Sequence, residues 1–324
     1  MYQVRTTNVF FQKKLILDIY LIGYRNKGES IIFVIYTDDI PSYCGVIDCY
    51  EYNNLNVTVE ILKKKDIKSL DLLCWSHPDE DHSIGIDTII SLYANENTKV
   101  LLPGHINGNE YNYNPRIQNT FNIINQNVVS RKVKKYIVRD VCDNMNLVHK
   151  NYINKSGQPY EFNICSIAPN STILRGNDFK ETIQKNDYSI GLVLSLGEFK
   201  VLFSGDIENR TIERFEDFYL PNFFDCIKVP HHTSESSDRL LNFLNYEAKS
   251  EIACTTVFRN HKLPQVMLID RYKNYVREFY CTGSIETEDT EDYGVIHIQT
   301  DIVRKQMCTY LKGNSRRVYS LDCG

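Results

Sequence analysis

Apolar residues recur along this chain in short runs separated by turn residues rather than in long helical stripes. Runs rich in β-branched and aromatic side chains predict strands near 12–22, 30–36, 45–49, 70–75, 98–102, 161–167, 190–196, 199–204, 224–229, 251–256, 278–282 and 294–299. Helical spacing predicts helices near 84–95, 207–217, 235–245 and 265–276. His297 sits in the alternating run Tyr293-Gly-Val-Ile-His-Ile-Gln and reads as an ordinary strand residue. Residues 103–160 interrupt the pattern: they are rich in Asn and Tyr and carry the basic run Arg131-Lys-Val-Lys-Lys135, as expected of a polar insertion.

Three of the apolar runs end in side chains that bind metals. Leu70-Asp-Leu-Leu-Cys-Trp75 leads into His77-Pro-Asp-Glu-Asp-His82, which packs His77, Asp79, Asp81 and His82 into six residues. Carboxylates and imidazoles this crowded repel or titrate unless a cation holds them. Val201-Leu-Phe-Ser-Gly-Asp206 ends in a carboxylate after a glycine that permits close backbone approach. Asp225-Cys-Ile-Lys-Val-Pro-His-His232 ends in two histidines. Alone, Asp206 reads equally well as a helix N-cap; with the other two clusters it reads as a ligand.

These residues divide into two candidate positions for divalent ions. One would take Asp81, His82, a bridging Asp206 and one histidine of the 231–232 pair, with His232 preferred and His231 facing substrate. The other would take His77, Asp79 and Asp206. A carboxylate at position 79 hardens that position, shifting it from zinc toward manganese or magnesium. Zinc and manganese are the expected ions, with magnesium the third candidate. Two such ions acidify a bridging water and clamp both oxygens of an in-line displacement, and Asp81 could orient that water. Ser189 and Ser234 are candidate hydrogen-bond donors to a substrate oxygen, and His261 is a candidate for lining the site.

Composition adds limits. At 324 residues and 42% hydrophobic content the chain can bury a large core, and a single domain over 1–324 with an insertion at about 103–160 accommodates it. No apolar run approaches membrane-spanning length, and the opening residues lack a signal-peptide pattern. Ten scattered cysteines without a Cys-x-x-Cys pair suit buried thiols of a reducing cytoplasm. The net charge of −4 lacks the strongly basic footprint of a nonspecific duplex binder. Within the insertion, Arg131, Lys132, Lys134 and Lys135 could contact phosphates, and Tyr111 and Tyr113 could stack on bases; a solvated helix face and a polar loop is the simpler expectation.

His77-Pro-Asp-Glu-Asp-His82 resembles the His-Pro-Asp-x-Asp-His motif of one branch of the metallo-β-lactamase fold hydrolases, the branch that includes the hydrolase domain of the DNA-uptake protein ComEC. Asn186-Asp-Tyr-Ser189, Ser204-Gly-Asp206 and Lys228-Val-Pro-His-His-Thr-Ser234 are similar to its later motifs, and Ile47-Asp48-Cys49 to its Asp-x-Gly strand end. The resemblance spans about residues 10–300 and is most specific near 70–85 and 186–237. It implies an α/β fold, a four-layer α/β/β/α sandwich with metals at the edge between two sheets, which the alternation of strands and helices also suits. Tyr50, Ile84 and Thr233 stand where the family has glycines. No histidine matches the family's third motif; only His105 and His149 lie in the interval between His82 and Asp206.

The resulting expectation is a free-standing, cytoplasmic, metal-dependent phosphodiesterase or nuclease acting on DNA, RNA or a nucleotide phosphodiester. One alternative is a lactone, amide or ester hydrolase with tight zinc and an apolar pocket. Another is a non-catalytic metal-bearing subunit that works through a partner protein in a multi-protein system, such as phage defence. Oligomeric state is open.

Overall fold

A computed structural model describes residues 6–25, 27–106, 114–130, 134–176, 183–217, 220–284 and 289–321. Its strands are β1 (Thr7–Phe10), β2 (Leu15–Tyr24), β3 (Glu29–Thr37), β4 (Ile40–Ile47), β5 (Leu72–Cys74), β6 (Lys99–Pro103), β7 (Ile137–Val141), β8 (Met145–Ile153), β9 (Pro159–Ala168), β10 (Gly191–Leu196), β11 (Phe199–Phe203), β12 (Cys226–Lys228), β13 (Ser250–Thr255), β14 (Val276–Cys281), β15 (Tyr293–Asp301), β16 (Gln306–Gly313) and β17 (Arg316–Ser320). The α-helices are short: α1 (Val57–Lys64), α2 (Glu80–Ser83), α3 (Ile86–Tyr93), α4 (Pro115–Val129), α5 (Ser171–Arg175), α6 (Asn209–Ile212) and α7 (Val266–Tyr272). The stretch expected as a helix at 235–245 is a 3-10 helix over Glu235–Phe243.

The fold is mixed α/β, with two sheets. One has the order β1-β8-β9-β10-β11-β12-β13-β14-β17 and the other β16-β15-β2-β3-β4-β5-β6-β7. Each contains a parallel run, β11 to β14 in the first and β4 to β7 in the second. Period-two alternation along β2 explains the packing. Leu15, Leu17, Ile19 and Leu21 join a core with Leu192, Leu194, Val201 and Phe203 of the other sheet. Ile22 and Tyr24, on the opposite face, join a second core with Leu62 of α1, Ile89 and Ile90 of α3, and Ile117 and Ile124 of α4. A third core packs Leu202, Ile227 and Ala253 against Ile212, Leu240, Leu268 and Tyr272. Helices of four to fifteen residues are marginal in isolation, so these apolar faces, each buried side chain contributing about 1.5–3 kcal/mol, hold them in place.

Residues 103–160 contribute more regular structure than an Asn-rich polar stretch suggests. They supply α4, capped by Asn114, and the strands β7 and β8, one in each sheet. Asn114 also donates to Glu80 at 3.2 Å, so α4 begins beside the metal-capable motif. Lys134 and Lys135 are exposed, whereas Tyr111, Tyr113, Arg131 and Lys132 lie outside the described residues. No disulfide joins the described cysteines, and no helix among the described residues is long and apolar enough to cross a membrane.

His297 belongs to β15, as expected, and has a specific partner. Its Nε2 is 3.3 Å from Asp18 Oδ1, and its ring stacks on Tyr20 at 4.2 Å. Asp18 is 1% exposed and also accepts from Tyr20 (3.0 Å), Lys65 (3.1 Å) and Gln299 (2.9 Å). Burial alone would raise its pKa; the close contact with His297, the hydrogen bond from Gln299 and the charge of Lys65 outweigh burial and lower it from 3.8 to about 2. A depressed carboxyl stabilises the fold above its unfolded pKa and loses that contribution as pH falls toward 2. Asp18→Asn is therefore expected to cost about 2 kcal/mol near neutrality. Urea unfolding of both proteins across pH checks this: their midpoints should draw together as pH is lowered from about 5 toward 2.

Candidate metal centre

The two parallel runs end side by side, and the loops leaving their strands carry the polar residues of the site. Asp48 follows β4, Ser76 and His77 follow β5, Asp206 follows β11, His231 and His232 follow β12, and Thr256 follows β13. Three of these turns need left-handed backbone: Asp48 has φ 56°, Gly205 φ 53°, and His231, His232 and Thr233 have φ of 47°, 49° and 64°. For a β-branched residue such as Thr233 that conformation costs on the order of 1–3 kcal/mol. Burial and a 2.8 Å hydrogen bond from its hydroxyl to Thr255 Oγ1 help hold it there. Trp75 anchors the first motif: its indole donates to Ser83 Oγ, and that hydroxyl donates to the Asp79 carbonyl, folding the motif back over the end of β5.

The hydrogen bonds around three histidines assign their tautomers. Asp48 Oδ2 lies 2.8 Å from His82 Nδ1, and a carboxylate only accepts, so His82 carries a proton on Nδ1. Ser76 gives its hydroxyl proton to Asp48 Oδ2 at 2.6 Å and can only accept from His77 Nδ1 at 3.0 Å. Thr256 gives its hydroxyl proton to Glu29 Oε2 at 2.6 Å and accepts from His232 Nδ1 at 2.6 Å. In their neutral forms all three imidazoles then present a bare Nε2. His77 Nε2 and His82 Nε2 are buried without a hydrogen-bond partner.

Carboxylate oxygens face these lone pairs. Asp81 Oδ2 lies 3.1 Å from His232 Nε2 and 3.4 Å from His82 Nε2; Asp206 Oδ2 lies 3.5 and 3.3 Å from the same atoms. Lone pairs opposed at these distances require a proton or a metal ion between them. Orphaned nitrogens with converging carboxylates are the donor set a divalent ion uses, so these residues fit one. Asp79 Oδ2 is 3.7 Å from His77 Nε2, while Asp79 Oδ1 accepts from Lys185 at 2.7 Å.

Glu29, His82, Asp206 and His232 form a buried cluster with ligand atoms within 4.8 Å of one another, and it could hold a divalent metal. Within it, Glu29 stands apart. It lies on the Nδ1 sides of the imidazoles, 3.8 Å from His82 and 3.5 Å from His232. Its Oε1 pairs with Lys228 at 2.8 Å. Lys228, itself buried, also reaches Asp206 Oδ1 at 3.2 Å and the Gly205 carbonyl at 2.9 Å. Burial opposes a charge on His82, yet Asp206, Asp81, Asp48 and Glu29 together raise its pKa well above the usual imidazole range. For His77 burial dominates and lowers the pKa, keeping that ring neutral.

The structure thus brings together Asp81, His82, Asp206 and His232, with His77 and Asp79 adjoining. His231 is not one of this group: it is half-buried, its ring 6.4 Å from that of His232, and held by Glu208 (3.0 Å) and Ser236 (2.8 Å). Ser189 is buried and accepts from the Asp206 N–H at 2.7 Å, bracing that loop. Ser234 caps the 3-10 helix that follows it. His261 is exposed and stacks on Phe258 at 4.8 Å, which stacks on His232 at 5.1 Å. Neither interval histidine joins the cluster: His105 is exposed, and His149 pairs with Asn163 and Glu161 across the β8–β9 ladder. Sequence reasoning assigned no role to Glu29 or Thr256, and marked Lys228 only as the first residue of a motif. The available signal was charge, Lys228 inside an apolar strand and Glu29 opening another.

No family model and no curated protein matches this chain. Among solved structures it is similar to one described as the crystal structure of a new diphosphatase from the PhnP family. That likeness has a TM-score of 0.38 and 10% identity, and covers 74% of this chain and 85% of the other. A likeness this distant assigns neither family nor activity, and the chain's own side chains define the site.

Because a proton occupies His82 when no metal does, divalent metal should release it on binding. Affinity is expected to rise roughly tenfold per pH unit while pH stays below the raised His82 pKa. Competition with a chromophoric chelator at several pH values checks the slope, and binding to His82→Ala should be lost.

Proposed function

We propose that this protein is a metal-dependent hydrolase of phosphodiester bonds, built as a single domain of the four-layer α/β/β/α, metallo-β-lactamase-like kind. The observation that carries the metal is the arrangement of three imidazoles whose Nδ1 atoms are engaged elsewhere, so that His82 and His232 aim Nε2 at the carboxylates of Asp81 and Asp206, and His77 aims it toward Asp79. Asp81, His82, Asp206 and His232 would hold one ion, and His77, Asp79 and Asp206 a second, with zinc or manganese preferred. A divalent ion there supplies an acidified water and neutralises charge on a phosphoryl oxygen. The chain's residues do the rest. Lys228 and Ser189 hold the Asp206 loop, and Asp48 holds the ring of His82 directly and that of His77 through Ser76. In this reading Asp81 would orient the attacking water.

The phosphodiester preference rests on the motif resemblance and on two groups beside the cluster. Lys185, on Asp79, adds positive charge suited to a phosphate oxygen. His231, held by Glu208, suits protonation of a leaving oxygen. DNA, RNA or a nucleotide is the substrate class, with the α4 region beside the motif as a surface for it.

Turnover of single- and double-stranded DNA, RNA and bis-p-nitrophenyl phosphate with Mn²⁺, Zn²⁺ or Mg²⁺ tests the reading. Cleavage should require metal and fall by more than about a hundredfold in Asp206→Ala, beyond the usual loss for a group behind the ligands. Metal binding without cleavage of any of these would reject it. His231→Asn should slow substrates with poor leaving groups about 10²- to 10⁴-fold. Cleavage of bis-p-nitrophenyl phosphate, whose leaving group needs no proton, should change far less.

A further inference from the structure

We infer that Thr256, Glu29 and Lys228 form a buried relay that sets the tautomer and aim of His232, with Glu29 a positioning residue rather than a ligand. The inference rests on the metal reading above and deepens it. Every proton in the relay has an assigned place. Lys228 donates to Glu29 Oε1, Asp206 Oδ1 and the Gly205 carbonyl, at 2.8, 3.2 and 2.9 Å, which uses all three ammonium protons. Glu29, 1% exposed, is left with Oε2 as an acceptor, and Thr256 Oγ1 donates to it at 2.6 Å. The hydroxyl, its proton committed, accepts from His232 Nδ1 at 2.6 Å, so in the neutral ring Nε2 keeps its lone pair for a metal, 3.1 Å from Asp81 Oδ2 and 3.5 Å from Asp206 Oδ2.

Geometry argues against Glu29 as a ligand even though it sits within the metal-capable cluster. Its oxygens face the Nδ1 atoms of His82 and His232, and both of those nitrogens already donate elsewhere, to Asp48 and to Thr256. A metal on the Nε2 side has the imidazole rings between itself and Glu29. Lys228 in turn holds Asp206 by Oδ1, leaving Oδ2 as the oxygen nearest the imidazoles. One buried ammonium therefore braces ligands from two motifs, Asp206 directly and His232 through Glu29 and Thr256.

The test uses the purified full chain. Zn²⁺ affinity is measured by chelator competition, and the visible spectrum of the Co²⁺-loaded protein reports the ligand set. Thr256→Val removes the hydroxyl while keeping the shape, and should weaken Zn²⁺ binding about 10- to 100-fold. Thr256→Ser restores the hydroxyl and should recover affinity to within about threefold, a rescue a packing role would not give. Glu29→Gln should weaken binding to a similar extent and leave the Co²⁺ spectrum that of the same ligand set. The relay is overturned if Thr256→Val binds like the unaltered protein, or if Thr256→Ser fails to rescue it. It is overturned equally if Glu29→Gln changes the Co²⁺ coordination spectrum, which would make Glu29 a ligand. Absence of Zn²⁺ and Co²⁺ binding by the unaltered protein would instead overturn the metal reading itself, and with it this inference.

Discussion

An excess of buried negative charge governs the architecture of this protein. Glu29, Asp48, Asp81 and Asp206 are all buried within one small region, and among the described residues Lys228 is the one buried ammonium there. Burying carboxylates without compensation is costly, so the region must take up further positive charge. In the metal-free protein the proton on His82 answers part of that demand, which is why four carboxylates raise its pKa against the effect of burial. A divalent ion would answer it more fully.

Such a concentration of charge is tolerable because of how the sheets are arranged. Each sheet carries a parallel run, and the strands of each run deliver polar loops at one end while their shafts stay apolar. Asp48 and His77 come from the sheet containing β4 and β5, Asp206 and His232 from the one containing β11 and β12. The inter-sheet core seals the site from below, and the strained left-handed turns at Asp48 and at His231 to Thr233 swing the side chains onto it. Strain of this kind persists where surrounding packing over-determines it.

Much of this was legible in the chain. Every strand expected from the apolar runs is present, because a sheet covered on both faces writes near-continuous apolar runs into its strands. The strands that pattern reading did not anticipate are β1, β7, β8, β16 and β17. Four of these, β1, β7, β16 and β17, are sheet edges, where one flank lies open and composition is freer to be polar. In β16 the burial pattern leaves most side chains exposed, so no apolar stripe marks it. Helix α4 was obscured by its Asn content, though Ile117, Phe121 and Ile124 keep a helical spacing along it.

The sequence by itself determined the local chemistry: which short segments end in metal-capable groups, and that these segments follow apolar strands. Spacing within His77 to His82 is set by covalent geometry and survives in any fold that buries the preceding strand. Tertiary structure decided which atoms meet. His82 takes its orientation from Asp48, 34 positions earlier, and faces Asp206 from the other sheet. Thr256 reaches Glu29 across 227 positions, and His232 reaches Asp81 across 151. No periodicity encodes such pairs, because hydrogen bonds fix tautomers and aim lone pairs only after both sheets have closed around the charges.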